Sequence, residues 1–168
     1  SAVLEMRTSK ELSQQFSEYQ VFKFDANTLD SYVKSNAEAP ALFNVGTHQW
    51  RLDLSPNPII AEGYTLQVQT PKGLVTSHTR PNIAFKGYDL NGSGMVRLTL
   101  NGELMFGFVE EGAECYYIEP LWYYEPTASR DLFVLYPRSA VSPMAPDACG
   151  LTEEKMHLQH LEDEADAK

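Results

Sequence analysis

The stretch that most constrains this chain is Met95 to Phe108. Met95 to Leu100 and Glu103 to Phe108 are apolar-rich runs separated only by Asn101-Gly102. Asn-Gly tolerates the positive φ that a type I′ turn needs at both central positions, so the pair predicts a tight antiparallel hairpin. Strand periodicity continues on either side. Trp50, Leu52 and Leu54 alternate with Arg51 and Asp53, the two-residue period of a half-buried strand, and Ser55-Pro56-Asn57-Pro58 stops it. Tyr64, Leu66 and Val68 alternate with Thr65, Gln67 and Gln69, and Pro71-Lys72-Gly73 then marks a turn. Ile83 and Phe85 lead into the glycine-rich stretch from Gly87 to Gly94. Val21 to Phe24, Cys115 to Ile118 and Leu132 to Tyr136 read as further strands. Turn signals recur at roughly 8–12-residue intervals, the mark of a sandwich or barrel. The expectation is a mainly β single domain, an antiparallel sandwich or barrel-like roll. Minor helices are expected near residues 28–34, where Asp25 and Asn27 offer caps, and at the C-terminus.

A chain of 168 residues suits one such domain. It carries 23 acids against 13 bases, a net charge of −10, and no Lys/Arg cluster. That balance excludes a nucleic-acid binder, which needs a basic face, and disfavours an anionic membrane surface. No apolar run approaches the ~18–20 residues of a membrane span. Four segments are expected. Residues 1–40 hold a short strand and a helix, and residues 41–136 form the β-rich core. Residues 137–152 form an extended arm punctuated by Pro137, Pro143 and Pro146. Residues 153–168 are an acidic linker. From Leu151 to Lys168 six acids face two lysines, with Thr152 as a cap and only Leu151, Leu158 and Leu161 as an apolar stripe. A short, frayed helix or linker outside the core fits that pattern.

Catalytic signatures are missing. The chain has no phosphate loop, no dinucleotide fingerprint, no H-E-x-x-H and no G-x-S-x-G. His157 and His160 stand at i, i+3 and offer two metal ligands, but two ligands among Glu154, Glu162 and Asp163 read better as a solvated face. A nucleophile pairing Cys149 with a histidine lacks the electropositive setting that activates a thiol. Asn91-Gly92-Ser93 matches a glycosylation sequon and also reads as a tight polar turn. Glu110 and Glu111 are adjacent, so in a strand they would face opposite sides, and they read as loop charges. Aromatics crowd together at Tyr116, Tyr117, Trp122, Tyr123 and Tyr124, a candidate docking face for a protein partner. Trp50, Trp122 and Tyr123 could instead form the platform of a secreted carbohydrate- or protein-binding module.

Two stretches together carry a family resemblance. Gly102-Glu103-Leu104-Met105-Phe106-Gly107-Phe108, followed by Tyr116-Tyr117-Ile118-Glu119-Pro120-Leu121, looks like a "G-L-x-G-x-I" hairpin followed by "Y-x-I-E-P-L". Phe133 to Tyr136 falls where the next strand belongs. Pro146-Asp147-Ala148-Cys149-Gly150-Leu151-Thr152 is similar to the cysteine-switch motif Pro-Lys-Met-Cys-Gly-Val-Thr. In this order, over residues 42–152, they resemble the propeptide of the adamalysin/reprolysin zinc metalloproteases. Asp147-Ala148 replaces the basic and bulky pair of that motif. No dibasic or furin-type site is present, which leans toward a bacterial secreted enzyme whose signal peptide has been removed.

The resemblance implies an inhibitory, non-catalytic chain. Its partner is the cognate zinc endopeptidase, its only metal is that partner's zinc, and assistance to that enzyme's folding is implied as well. Cys149 is the implied zinc ligand, positioned by Pro146, Gly150 and Thr152. A catalytic zinc keeps an open fourth position, and a thiolate entering it at about 2.3 Å displaces the bound water. From Tyr136 to Cys149 the chain can reach about 43 Å when extended. Arg138, Lys155 and Lys168 are candidate cleavage positions. A disulfide between Cys115 and Cys149, a free-standing protease inhibitor and the binding module remain the alternatives. Cys115, in an apolar run, is expected to be a small buried hydrophobe.

Overall fold

The structure, a computed structural model, describes residues 2–35, 39–61, 63–77 and 82–142. The expected mainly β fold is observed. Eleven strands form in chain order: β1 (Val3–Glu5), β2 (Gln20–Lys23), β3 (Ala41–Val45), β4 (His48–Pro56), β5 (Leu66–Thr70), β6 (Gly73–Ser77), β7 (Ala84–Asp89), β8 (Met95–Asn101), β9 (Leu104–Glu111), β10 (Glu114–Pro120) and β11 (Leu132–Pro137). Among the described residues two α-helices accompany them, α1 (Lys10–Gln15) and α2 (Ala26–Ser35), and the helix expected at the C-terminus lies outside those residues. Nine strands make one antiparallel sheet in the order β1-β2-β11-β10-β9-β8-β7-β4-β3, and β5-β6 stand apart as a separate hairpin. The sheet curls until its two edges meet. The Ala2 N–H, just before β1, donates to the Asn44 carbonyl on β3 at 3.1 Å. The result is a nearly closed barrel, which removes most of the unpaired edge that an open sheet would present. No described helix is long and apolar enough to cross a membrane.

Alternation decides what fills the interior. Trp50, Leu52 and Leu54 on β4 point inward with Phe22, Phe43, Phe85, Leu98, Leu100, Met105, Val109, Ile118 and Phe133. Each such side chain contributes about 1.5–3 kcal/mol by leaving water. The rings interlock: Phe43 stacks on Trp50 at 5.8 Å and meets Phe22 edge-on at 6.1 Å. The barrel is therefore packed with side chains. One end is closed by α2, which buries Ala26, Leu29 and Val33 in the core. Asp25 starts that helix by accepting the Asn27 N–H at 3.1 Å and the Thr28 hydroxyl at 2.6 Å. Asp30 then accepts the Gly102 N–H at 3.1 Å, tying the helix to the β8–β9 turn.

Several local expectations shift. The first 40 residues do not stand apart from the rest, because β1 and β2 are strands of the same sheet, with β2 paired to β11. The short N-terminal helix exists because Ser9 caps it, its hydroxyl accepting the Leu12 N–H at 3.2 Å. The β8–β9 turn sits one residue later than Asn101-Gly102. Asn101 pairs with Leu104, so Gly102 and Glu103 are the central residues. Only Gly102 has positive φ (+55°), the pattern of a type II′ turn with glycine leading. Glu110 and Glu111 belong to β9 rather than to a loop. The alternation of Leu66 and Val68 forms a strand, yet both stay exposed, as do Leu74 and Val75 across the hairpin. Asn91-Gly92-Ser93 is the tight turn. Buried Asp89 organises it, accepting backbone N–H bonds from Arg51 (2.8 Å), Asn91 (3.3 Å) and Gly92 (3.2 Å).

Two inward positions hold glycine because strands bend sharply against their neighbours there. A Cβ on Gly87 would lie 1.7 Å from the Asp53 carbonyl oxygen, and one on Gly107 would lie 2.0 Å from that of Arg97. Gly107 also has φ +151°. Gly107→Ala is expected to cost about 3 kcal/mol, because backbone must move. Gly102→Ala, in open space but at positive φ, is expected to cost about 1 kcal/mol. Urea unfolding of both variants checks this, and equal losses would contradict the close-approach argument.

Candidate functional site

Residues 137–142, the start of the expected arm, are packed against the domain, and the rest of that arm lies outside the described residues. β11 runs to Pro137, and Arg138–Ala140 form a 3₁₀ turn. Ala140 is buried, and its carbonyl accepts the Ser17 N–H at 2.8 Å. Val141 bridges Phe16, and the Ser142 N–H donates to the Gln15 carbonyl at 2.7 Å. The Ser139 hydroxyl donates to Glu114, whose carboxylate also accepts the Cys115 N–H at 2.9 Å. These donors, Ser139 foremost, hold Glu114 below the usual carboxylate range. The chain is thus fastened to α1 and β10 up to Ser142. Small Ala140 fits under the end of α1, which the proline count did not reveal. Arg138 is exposed at the first position of the 3₁₀ turn. Pro146, Cys149, Gly150, Thr152, Lys155, His157, His160 and Lys168 lie outside the described residues.

The aromatic run from Tyr116 to Tyr124 does not form one face. Tyr116 and Tyr117 are neighbours on β10, so they point to opposite sides of the sheet. Tyr116 turns inward at the end of the barrel opposite α2 and packs against the core. Tyr117 lies outside, stacked on Tyr136 at 5.5 Å, and Tyr136 stacks on Phe16 at 3.9 Å. Tyr124 meets Phe16 edge-on at 5.5 Å and gives its hydroxyl hydrogen bond to Glu119. This outer cluster, completed by Leu12, Val21, Leu121 and Val134, glues α1 to the barrel wall. Trp122 is half-buried beneath the Arg130 guanidinium, 4.2 Å from its ring centre. Tyr123 is 48% exposed and lies beside Phe106. Trp50 is only 1% exposed, so the platform of Trp50, Trp122 and Tyr123 does not form. Its inward register on β4 puts it in the core.

The open end of the barrel carries a polar group that sequence reasoning passed over. Glu111, the last residue of β9, faces inward. Its Oε2 lies 2.7 Å from His48 Nδ1 and accepts the Trp50 indole N–H at 3.2 Å. The His48 ring stacks on Trp50 at 5.1 Å and tilts against Tyr116 at 4.3 Å. The signal was present: His48 stands two residues before Trp50, hence on the same inward face of β4. Glu110, on the other face, accepts the Met95 N–H at 3.0 Å.

Cys115 is half-buried rather than fully buried, with a free thiol whose pKa burial pushes up. That makes it a poor thiolate donor at neutral pH. Among the described residues no group of three His, Cys, Asp or Glu side chains is placed to hold a metal ion. Comparison of the chain with protein-family models and with curated protein sequences finds no match.

The outer cluster makes a pH prediction. Burial first, and the Glu119 carboxylate second, raise the Tyr124 hydroxyl above the ordinary tyrosine range, and the same two causes raise Tyr136. A group whose pKa rises on folding stabilises the fold below its unfolded pKa, and that stability is lost above it. Stability should therefore fall as pH rises past about 10, the unfolded tyrosine value. Tyr124→Phe should flatten part of that fall in urea melts at neutral and strongly alkaline pH. An unchanged pH slope would contradict the assignment.

Proposed function

We propose that this chain is the inhibitory propeptide of a secreted zinc metalloendopeptidase, with Cys149 as the ligand that enters the enzyme's zinc site. One observation carries the reading. The motif from Pro146 to Thr152 begins four residues after Ser142, which the Gln15 carbonyl fastens to the domain. From Ser142 to Cys149 the chain can reach roughly 25 Å at full extension. A fastened root confines that reach to one side of a rigid body. In a covalent zymogen this keeps the thiol near the cleft at roughly millimolar effective concentration.

The division of labour is simple. The enzyme's zinc supplies a Lewis-acid site with an exchangeable fourth position. This chain supplies the thiolate at Cys149, a neighbour at Gly150 without a side chain to obstruct close backbone approach, and Pro146 to limit the entropy lost on docking. The packed barrel supplies bulk over the cleft. Cys115 does not compete for the metal, because its thiol is half-buried and pushed upward. The Tyr123–Phe106 corner, the exposed part of the aromatic run, is where the barrel would rest on the enzyme.

The test begins with the reading frame beyond Lys168. A zinc-binding H-E-x-x-H-x-x-G-x-x-H motif is expected there, and the enzyme that carries it should be inhibited by this chain added in trans. Cys149→Ser should weaken that inhibition at least about tenfold, the loss of one metal–ligand contact of ~1.4 kcal/mol or more. A frame without such a motif, or equal inhibition by Cys149→Ser, would overturn the switch.

A further inference from the structure

The polar end of the barrel holds a cavity of about 190 Å³ between β2, β4, β10 and β11. That is below the roughly 300–1,000 Å³ of a drug-sized site, and it suits a single side chain. Its lining is mostly polar or aromatic, with Leu135 and Pro137 the apolar exceptions. Gln20 Oε1 is buried there with no donor among the described residues. His48 also lines it, with its Nδ1 turned to the Glu111 carboxylate at 2.7 Å. Glu18 stands exposed at the rim, and Thr47 adds a hydroxyl. Tyr19, His48 and Tyr116 present rings. No Lys or Arg lines the cavity. Its field is negative: after burial, the carboxylates of Glu111, Glu114 and Glu18 are what raise the Tyr116 hydroxyl. Gly46 keeps the space above Gln20 clear, since a Cβ there would lie 2.7 Å from Oε1.

A larger cavity of about 440 Å³ lies beside Lys23, Asp25, Arg130 and Asp131, but its cations are already engaged. Lys23 pairs with Asp131 at 3.0 Å, and Arg130 covers Trp122. The smaller cavity is the one with unmet hydrogen-bonding capacity.

We infer that the barrel mouth is a recognition pocket for one organic cation, the guanidinium or ammonium head of a basic side chain. Such a head brings three to five N–H donors and no acceptor, and the Glu18 carboxylate and the unpartnered Gln20 carbonyl are the acceptors it would meet. Aromatic faces add cation–π attraction. The pocket stands on its own geometry and does not depend on the propeptide reading.

The full chain, ¹⁵N-labelled, should be titrated with N-acetyl-arginine amide and with the neutral isostere N-acetyl-citrulline amide. The arginine compound is expected to shift the resonances of Gln20, His48 and Tyr116, and the citrulline compound is not. Glu18→Gln, at the exposed rim, should weaken binding about threefold without touching the core. Gln20→Leu should weaken it further, with Glu18→Gln deciding the matter if that variant does not fold. An alanine-flanked arginine heptapeptide forms the second arm. Tighter binding than the amide assigns the pocket to a protein segment, and equal binding assigns it to a free small cation. Citrulline binding as well as arginine, shifts confined to other surfaces, or no shift at millimolar ligand would each overturn the pocket.

Discussion

Closure of the sheet is the constraint on which everything else rests. Nine antiparallel strands can bury a shared interior only if they bend enough to bring β1 round to β3. The bend is made where Gly87 and Gly107 let neighbouring backbones approach to distances that a Cβ would forbid. Glycine inside a strand ordinarily weakens it, through lost packing and greater unfolded-state entropy. Here that cost is offset because the curl places Trp50, Phe22, Phe43 and Phe133 in one interlocking core. Among the described residues the closing contact is one backbone hydrogen bond, the Ala2 N–H on the Asn44 carbonyl. It contributes about 1 kcal/mol, so closure follows from the core rather than from the seam.

A closed barrel has two ends, and the chain treats them differently. α2 plugs one with Leu29 and Val33 and is tied by Asp30 to the β8–β9 turn. The other end is left to polar side chains, His48, Glu111, Gln20 and Tyr116. Beside that end the chain runs from Ala140 to Ser142 against the end of α1. The outer cluster of Phe16, Tyr117, Tyr124 and Tyr136 fixes α1 to the wall, and the end of α1 in turn holds residues 140–142. Stacking on the outside of the barrel therefore holds α1 and residues 140–142, while stacking on the inside serves the fold.

Much of the fold was legible because period-two alternation is a local signal. Trp50, Leu52 and Leu54 face inward as their spacing demands, and Asp25 starts α2 as its side chain suggests. Three features depend on tertiary context. β1 is too short and exposed to be seen without its partner β2. The turn after β8 slips by one residue because the Asn101–Leu104 pair extends the ladder. The burial of Ala140 requires knowing that α1 lies above it. For the site, the spacing of His48 to Trp50 announced a shared face, but that Glu111 would meet them needed the closure of the barrel. The exposed Leu66 and Val68 mark the limit of that signal: alternation specifies the strand but not its burial, since among the described residues β5 pairs only with β6.

The central functional claim is that Cys149 meets a zinc ion in the cleft of a partner enzyme. The most direct measurement is the electronic spectrum of the cobalt-substituted endopeptidase in complex with the full chain. A thiolate-to-cobalt charge-transfer band should appear on binding and be missing with Cys149→Ser. A tight complex without that band would contradict the account, leaving a barrel that blocks the enzyme by bulk alone.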